Sequence, residues 1–257
     1  MSDAVILEAQ GLNKHFGGLH AVRDVWFSVQ KGKIKSIIGP NGAGKTTLFN
    51  LLSGAIPADS GRVMFKGELI SSKKPYAIAA LGMARTYQTT RLFEHMTVLE
   101  NIMAGRHIKT KAGFIASALR LPWTLREESD CKKKSRELLT FFSLGEFIDE
   151  TAQNLAFGIK RKVECARACA LEPDILLLDE PAAGLNIYET KELSQLICRI
   201  RDLGITILLV EHDMSMVMDI SDEILVLNEG AVLAEGLPRE IQKNPDVIRV
   251  YLGEDEC

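Results

Sequence analysis

Nine residues at 39–47, GPNGAGKTT, place glycines, a lysine and two hydroxyls where a phosphate chain could be held. Gly39, Gly42 and Gly44 free the backbone to curl until successive N–H groups point inward at phosphate oxygens. Pro40, Asn41 and Ala43 occupy the remaining loop positions. The spacing G-x-x-x-x-G-K-[ST] sends Lys45 to the β- and γ-phosphates and offers the Thr46 hydroxyl to Mg2+, with Thr47 beside it. Context supports the motif, because KGKIKSIIG before it reads as a strand and the residues after it open a helix.

A phosphate loop needs a second oxygen ligand for the metal. The run ILLLDE ends a wholly apolar strand in Asp179, at the carboxyl edge of a sheet, where ligands sit in open α/β folds. Glu180 follows directly and could orient and deprotonate an attacking water, which points to hydrolysis rather than transfer to another substrate. The base is read as adenine, because the N-K-x-D guanine pattern is missing and its nearest approach, NKHF at 13–16, lacks the aspartate.

The elements that must position these groups follow from hydropathy patterning. VWFSV at 25–29 alternates like a half-buried strand, whereas DILLLD at 174–179 and ITILLV at 205–210 are apolar on both faces, as central parallel strands covered by helices must be. Residues 223–236, EILVLNEGAVLAEG, read as a hairpin turning at Asn228–Gly230, and Pro238 and Pro245 punctuate two short helices. Between Thr89 and Thr151, the stretches MTVLENIMAG, AGFIASALRL and ESDCKKKSRELLTFF have helical spacing with no strand pattern among them. The fold class expected is α/β: a P-loop NTPase core with a mainly parallel sheet, an antiparallel β subdomain and an inserted α-helical subdomain. The expected division is a catalytic core of 1–88 and 152–236, a helical subdomain of 89–151 and a short C-terminal helical extension of 237–257.

Composition narrows the class. With 257 residues and 46% hydrophobic content the chain can bury a sizeable core, and a net charge of −3 argues against nucleic acid as a partner. No apolar run reaches the eighteen or so residues that would span a bilayer, and MSDAVILEAQ lacks the pattern of a signal peptide. A soluble, intracellular protein is expected. Cys131, Cys165, Cys169, Cys198 and Cys257 form no C-x-x-C pair; Cys165 and Cys169, four apart on one helix face, read as small buried thiols rather than metal ligands.

Six motifs in order resemble those of the ATP-binding cassette ATPases: GPNGAGKTT, Gln88 in RTYQTT, LAFGIKRK, ILLLDEP, AAGLN and His212 in LLVEHD. The resemblance implies that Phe16 stacks on adenine, that Gln88 touches Mg2+ or its water and reports nucleotide state to the helical lobe, and that His212 hydrogen-bonds the γ-phosphate. It implies too that Ala182–Asn186 is the loop crossing to a partner subunit, although the usual aspartate is Asn186 here. LAFGI at 155–159 stands where the family has L-S-G-G-Q, the turn that binds the γ-phosphate of ATP held by the other subunit of a dimer. Ala156 and Gly158 are then binding residues of a composite site. Ala156 lacks the serine hydroxyl and Ile159 replaces the glutamine. Each lost hydrogen bond to a charged group costs roughly tenfold or more in affinity, so a competent but slow site is expected. Lys160 and Arg161 read either as added positive charge near that phosphate or as a solvated basic helix face.

Within the family, NKHFGGLHAVRDVWFSVQKG, ARTYQTTRLFEHMTVLENIMAGRH, the segment from Ile108 to Glu128, LDEPAAGLN and NPDVIRVYLG resemble the longer of the two ATPase subunits of branched-chain amino acid importers. That likeness implies ATP and Mg2+ as cofactors, membrane-embedded permease subunits and a second ATPase subunit as partners, an extracytoplasmic solute-binding protein as an indirect one, and a place at the cytoplasmic face of the membrane. AGFIASALRL reads either as a docking face for a membrane subunit or as a buried helix of the lobe. Two rival readings are an exporter ATPase, as in lipopolysaccharide export, and a non-transport ATPase of DNA repair or translation. The second is disfavoured because the stretch from Gln88 to Gly158 is too short for a long coiled-coil insertion.

Overall fold

A computed structural model describes residues 4–109 and 122–252. The chain divides into two compact units, one made of Met1–Arg85 with Asp174–Cys257 and the other of Thr86–Pro173.

The first unit carries two sheets. Strands β1 (Val5–Phe16), β2 (Leu19–Gln30), β4 (Ser60–Phe65) and β5 (Glu68–Leu69) form an antiparallel sheet in the order β2-β1-β4-β5. The alternation in VWFSV is realised in β2: Val25, Phe27 and Val29 are buried while Trp26 is exposed. The second sheet runs β10-β9-β3-β8-β7-β6, from β3 (Ile34–Ile38), β6 (Met83–Arg85), β7 (Ile175–Asp179), β8 (Thr206–Val210), β9 (Glu223–Asn228) and β10 (Ala231–Gly236). Its pairings are parallel except for the antiparallel edge strand β10. Every residue of β3, β7 and β8 is buried; in β7 and β8 the apolar runs on both faces require it, while in β3 the buried Lys35 pairs with Glu223 and Glu235 and the buried Ser36 hydroxyl meets that of Ser221.

Helix α1 (Lys45–Leu52) starts at the end of the phosphate loop and contributes Leu48, Phe49 and Leu52 to one core with Leu7, Val25 and Phe65 of the antiparallel sheet and Ile37, Leu177 and Leu208 of the parallel one. A short α2 (Pro75–Ala80) precedes β6. Burying α1 between the sheets anchors the loop that leads into it.

The second unit is helical among its described residues, with a lone bridge between Thr97 and Thr151. It holds α3 (Val98–Gly105), α4 (Pro122–Phe141) and α5 (Phe157–Cys169). Thr97 and Glu100 close a capping box at the start of α3. The helical spacing divides the chain at 88 and 152, whereas contacts gather Gln88 and α5 with the helical elements, because α5 packs against α3 and both helices bury apolar side chains, Val163 and Ala166 on one and Val98 and Ile102 on the other. The segment AGFIASALRL lies outside the described residues.

The rest of the first unit is α6 (Ile187–Asp202), α7 (Met214–Ile220), the β9–β10 hairpin, α8 (Pro238–Ile241) and α9 (Pro245–Leu252). The hairpin turns through Glu229 (φ 46°) and Gly230 (φ 83°), the paired positive values of a tight two-residue turn. No helix among the described residues is long and apolar enough to cross a membrane.

Candidate active site

The phosphate loop leaves the buried end of β3 and enters α1, as its sequence context predicts. Gly39 (φ 153°) and Gly44 (φ 98°) are needed for two reasons. Their backbone is left-handed, and a side chain at either would collide with a main-chain carbonyl, that of Leu227 or of Ala21 respectively. The loop is therefore braced by the hairpin on one side and by β2 on the other. Gly230 extends the brace, donating its N–H to Ala43 at 3.1 Å and accepting from the N–H of Arg23 at 2.7 Å. Asn41, Gly42 and Thr46 remain exposed along the loop.

Lys45 is buried and turns back on its own loop, donating from Nζ to the carbonyls of Gly39 at 2.5 Å and Pro40 at 2.9 Å. Burial lowers its pKa, opposed by the nearby charges of Glu180 and Asp179. The structure thus gathers the loop lysine and the two strand-end carboxylates into one electrostatic neighbourhood. Asp179, at the last position of β7, is 2% exposed and pairs with Arg85 of β6, whose Nη2 lies 2.8 Å from its Oδ2. The same guanidinium donates to Asn50 at 2.8 Å and Ser53 at 2.7 Å, on α1 and its cap. One arginine ties the Asp179 carboxylate to the helix after the phosphate loop.

Glu180 breaks the strand with φ 47°, a left-handed conformation that a non-glycine residue adopts only at a cost of about 1 kcal/mol or more. Its N–H still donates to Val210 of β8 at 2.9 Å, so the turn comes at the strand end itself. Past it, Ala182 donates its N–H to Oε1 of Glu211 at 2.7 Å, while Oε2 accepts the N–H of His212 at 3.1 Å. Glu211 is fully buried, and burial raises its carboxyl pKa against the pull of those N–H groups. One side chain therefore fastens the loop after Glu180 to the loop carrying His212, whose ring is exposed. The loop 182–186 ends in Asn186, which caps α6 by accepting from the N–H groups of Tyr188 and Glu189. Asparagine serves in this cap as well as an aspartate would.

Phe16 stands at the tip of the β1–β2 hairpin, 49% exposed, with the Lys14 ammonium 5.6 Å from its ring centre. It is not a core residue, and the strand leaving this tip carries the Ala21 carbonyl that abuts Gly44. Asn13 of the near-miss NKHF braces that hairpin, accepting the Asp24 N–H at 3.0 Å.

The second unit holds the other motif residues. Gln88 is exposed in the loop after β6. Ala156, also exposed, is the N-cap of α5 and provides no side-chain cap, while Gly158 is buried in the first turn. Lys160 donates to the carbonyl of Gln153 at 3.1 Å. Arg161 fits neither sequence reading, being 3% exposed and directed inward. Cys165 and Cys169 are buried, as expected; burial pushes the Cys165 thiol up to about 12 and that of Cys169 further in the same direction. Sequence reasoning missed Arg85, Glu211 and the Arg161–Glu164 pair, since a lone arginine or glutamate carries no spacing signal.

Comparison with known proteins places these features in context. Residues 22–183 match the family model described as ABC transporter, and residues 231–257 match one described as branched-chain amino acid ATP-binding cassette transporter. The chain is 45% identical to the high-affinity branched-chain amino acid transport ATP-binding proteins BraF of Pseudomonas aeruginosa and LivG of Escherichia coli. Each match covers 97% of this chain and 98% of the relative. Among solved structures, an ATP-binding cassette of an ABC transporter in its ADP conformation superposes with a TM-score of 0.84 at 33% identity, over 97% of this chain and 99% of that one. A nucleotide-free cassette gives the same TM-score at 32% identity, over 97% and 100%.

Proposed function

Because the chain belongs to the ABC transporter family, as an ATP-binding cassette ATPase, we propose that it is the ATPase subunit driving uptake of branched-chain or related hydrophobic amino acids. The observation that carries this reading is likeness along nearly the whole chain, tail included, to relatives that bear that transport in their names. Its partners would be membrane-embedded permease subunits and a second ATPase subunit, either its own copy or a sister chain, with a solute-binding protein acting indirectly. Its place would be the cytoplasmic face of the membrane, as a peripheral subunit.

The mechanism assigns each residue a task. The N–H groups from Asn41 to Thr46 and the Lys45 ammonium hold the phosphates, while Phe16 stacks on adenine. Gln88 senses whether nucleotide is bound, and Thr46 and Asp179 present a hydroxyl and a carboxylate, hard donors that suit Mg2+. Bound there, the cation would neutralise phosphate charge. Glu180 accepts a proton from the attacking water, and His212 donates a hydrogen bond to the γ-phosphate as negative charge grows on it. Ala156 and Gly158 offer main-chain N–H groups to the nucleotide of the partner subunit, so that ATP closes a dimer and hydrolysis opens it.

The test is size-exclusion chromatography with light scattering on Glu180→Gln, with and without ATP. A monomer that becomes a dimer on ATP supports the composite site between like chains. A protein that binds ATP yet stays monomeric alone and with a sister ATPase would overturn it.

A further inference from the structure

The arginine that follows LAFGIK is used inside the helical unit. Arg161 donates from Nη1 to the carbonyl of Tyr87 at 2.9 Å and to Oε2 of Glu164 at 3.2 Å, and from Nη2 to the carbonyl of Gln88. Glu164, 2% exposed and one turn further along α5, accepts the Tyr87 N–H on Oε1 at 3.4 Å, and the N–H of Arg91 adds to its hydrogen bonds. Both main-chain groups of Tyr87 and the carbonyl of Gln88 are thus held by one turn of one helix. The Arg161 guanidinium also lies 5.3 Å from the ring centre of Phe157, the residue between Ala156 and Gly158.

A buried ion pair is a poor device for stability alone, because well-packed apolar residues of similar volume do as well or better. An apolar pair cannot grip particular main-chain groups of a loop. A planar guanidinium can, because it holds Tyr87 and Glu164 from Nη1 and Gln88 from Nη2, whereas a lysine carries all its donors on one nitrogen.

We propose that Arg161 and Glu164 are positioning residues that clamp the Gln88 loop to the helix opened by Ala156 and Gly158, so that the two segments respond to nucleotide as one body. The inference rests on the roles proposed above for Gln88 and for the 156–158 turn. It gives the helical unit a direct mechanical link between the residue that senses nucleotide in its own subunit and the turn that meets nucleotide of the partner.

The test is amide hydrogen exchange by mass spectrometry on the full chain carrying Glu180→Gln, with and without ATP, read in peptides spanning 86–92 and 155–163. With Arg161 intact, ATP should slow exchange in both. In Arg161→Met, exchange at 86–92 should rise roughly tenfold or more without nucleotide, the effect of losing hydrogen bonds to a charged group. ATP should then protect 155–163 and no longer 86–92. Arg161→Lys keeps a charge beside Glu164, so it should hold the melting temperature and still lose the joint response, which a merely structural arginine would not do. Joint protection by ATP surviving in both variants overturns the clamp, as does loosening spread evenly over the helical unit. If ATP alters neither peptide with Arg161 intact, the roles of Gln88 and the turn fail and the joint response with them; the nucleotide-free comparison then decides separately whether Arg161 holds the loop.

Discussion

The two units position their functional residues by different means. In the first, the backbone does most of the work: Gly39 and Gly44 leave no room for a side chain, Lys45 folds back onto loop carbonyls, and Glu180 turns left-handed where its strand ends. In the second, buried polar side chains grip main-chain groups. Arg161 and Glu164 hold Tyr87 and Gln88, and Asn101, fully buried, donates to the carbonyls of Phe93 and Thr97 while accepting the Phe93 N–H. Geometry set by backbone tolerates change in neighbouring side chains. Geometry set by one buried side chain is lost with it.

Glu211 and the Arg85–Asp179 pair are exceptions in the first unit, and the pair offers the sharpest test of that contrast. Arg85 and Asp179 are a buried ion pair, and Arg85→Met would take the guanidinium away from the buried Asp179 carboxylate. The expected loss is about 3–5 kcal/mol of stability, measured by denaturant unfolding. A loss under about 1 kcal/mol would mean that backbone and packing hold this strand end without the pair.

Next in size is Glu211→Gln. The amide keeps one acceptor for the Ala182 or His212 N–H and leaves the other unmet. We expect kcat for ATP to fall about tenfold with a smaller change in KM, since the substitution shifts loops flanking Glu180 and His212 rather than the phosphate loop. Equal loss in ATP binding would place Glu211 among the groups that hold the phosphate loop instead.

The smallest effect is expected at Ile159, half-buried in the first turn of α5. Restoring glutamine should raise the ATPase rate by up to about tenfold, the value of one hydrogen bond to a charged group. An unchanged rate would show that main-chain N–H groups suffice at this turn, bringing it closer to the backbone-built site of the first unit.

Much of the fold was legible in local pattern. The apolar runs of β7 and β8 announced buried parallel strands, the alternation in VWFSV announced a half-buried one, and the Asn228–Gly230 turn stands where its residues implied. The bracing of the phosphate loop was not legible, because Gly230 and Ala21 reach it only through sheet pairing. Arg161 misled for the same reason. A basic run at a helix start looks like a solvated face or an anion site until the chain returns to bury it.

Sequence alone therefore determined which groups are present for chemistry: the glycine spacing, the lysine and hydroxyls after it, and the acidic pair closing an apolar strand. Each depends on neighbours within a few residues, so local spacing suffices to read it. Tertiary structure alone decided what holds those groups: Arg85 on Asp179 across 94 positions, Arg161 on Gln88 across 73 and Glu211 on Ala182 across 29. Such partners are chosen by where the chain comes back in space. A hydrogen bond needs its atoms within about 3 Å of each other, however far apart the residues stand along the chain.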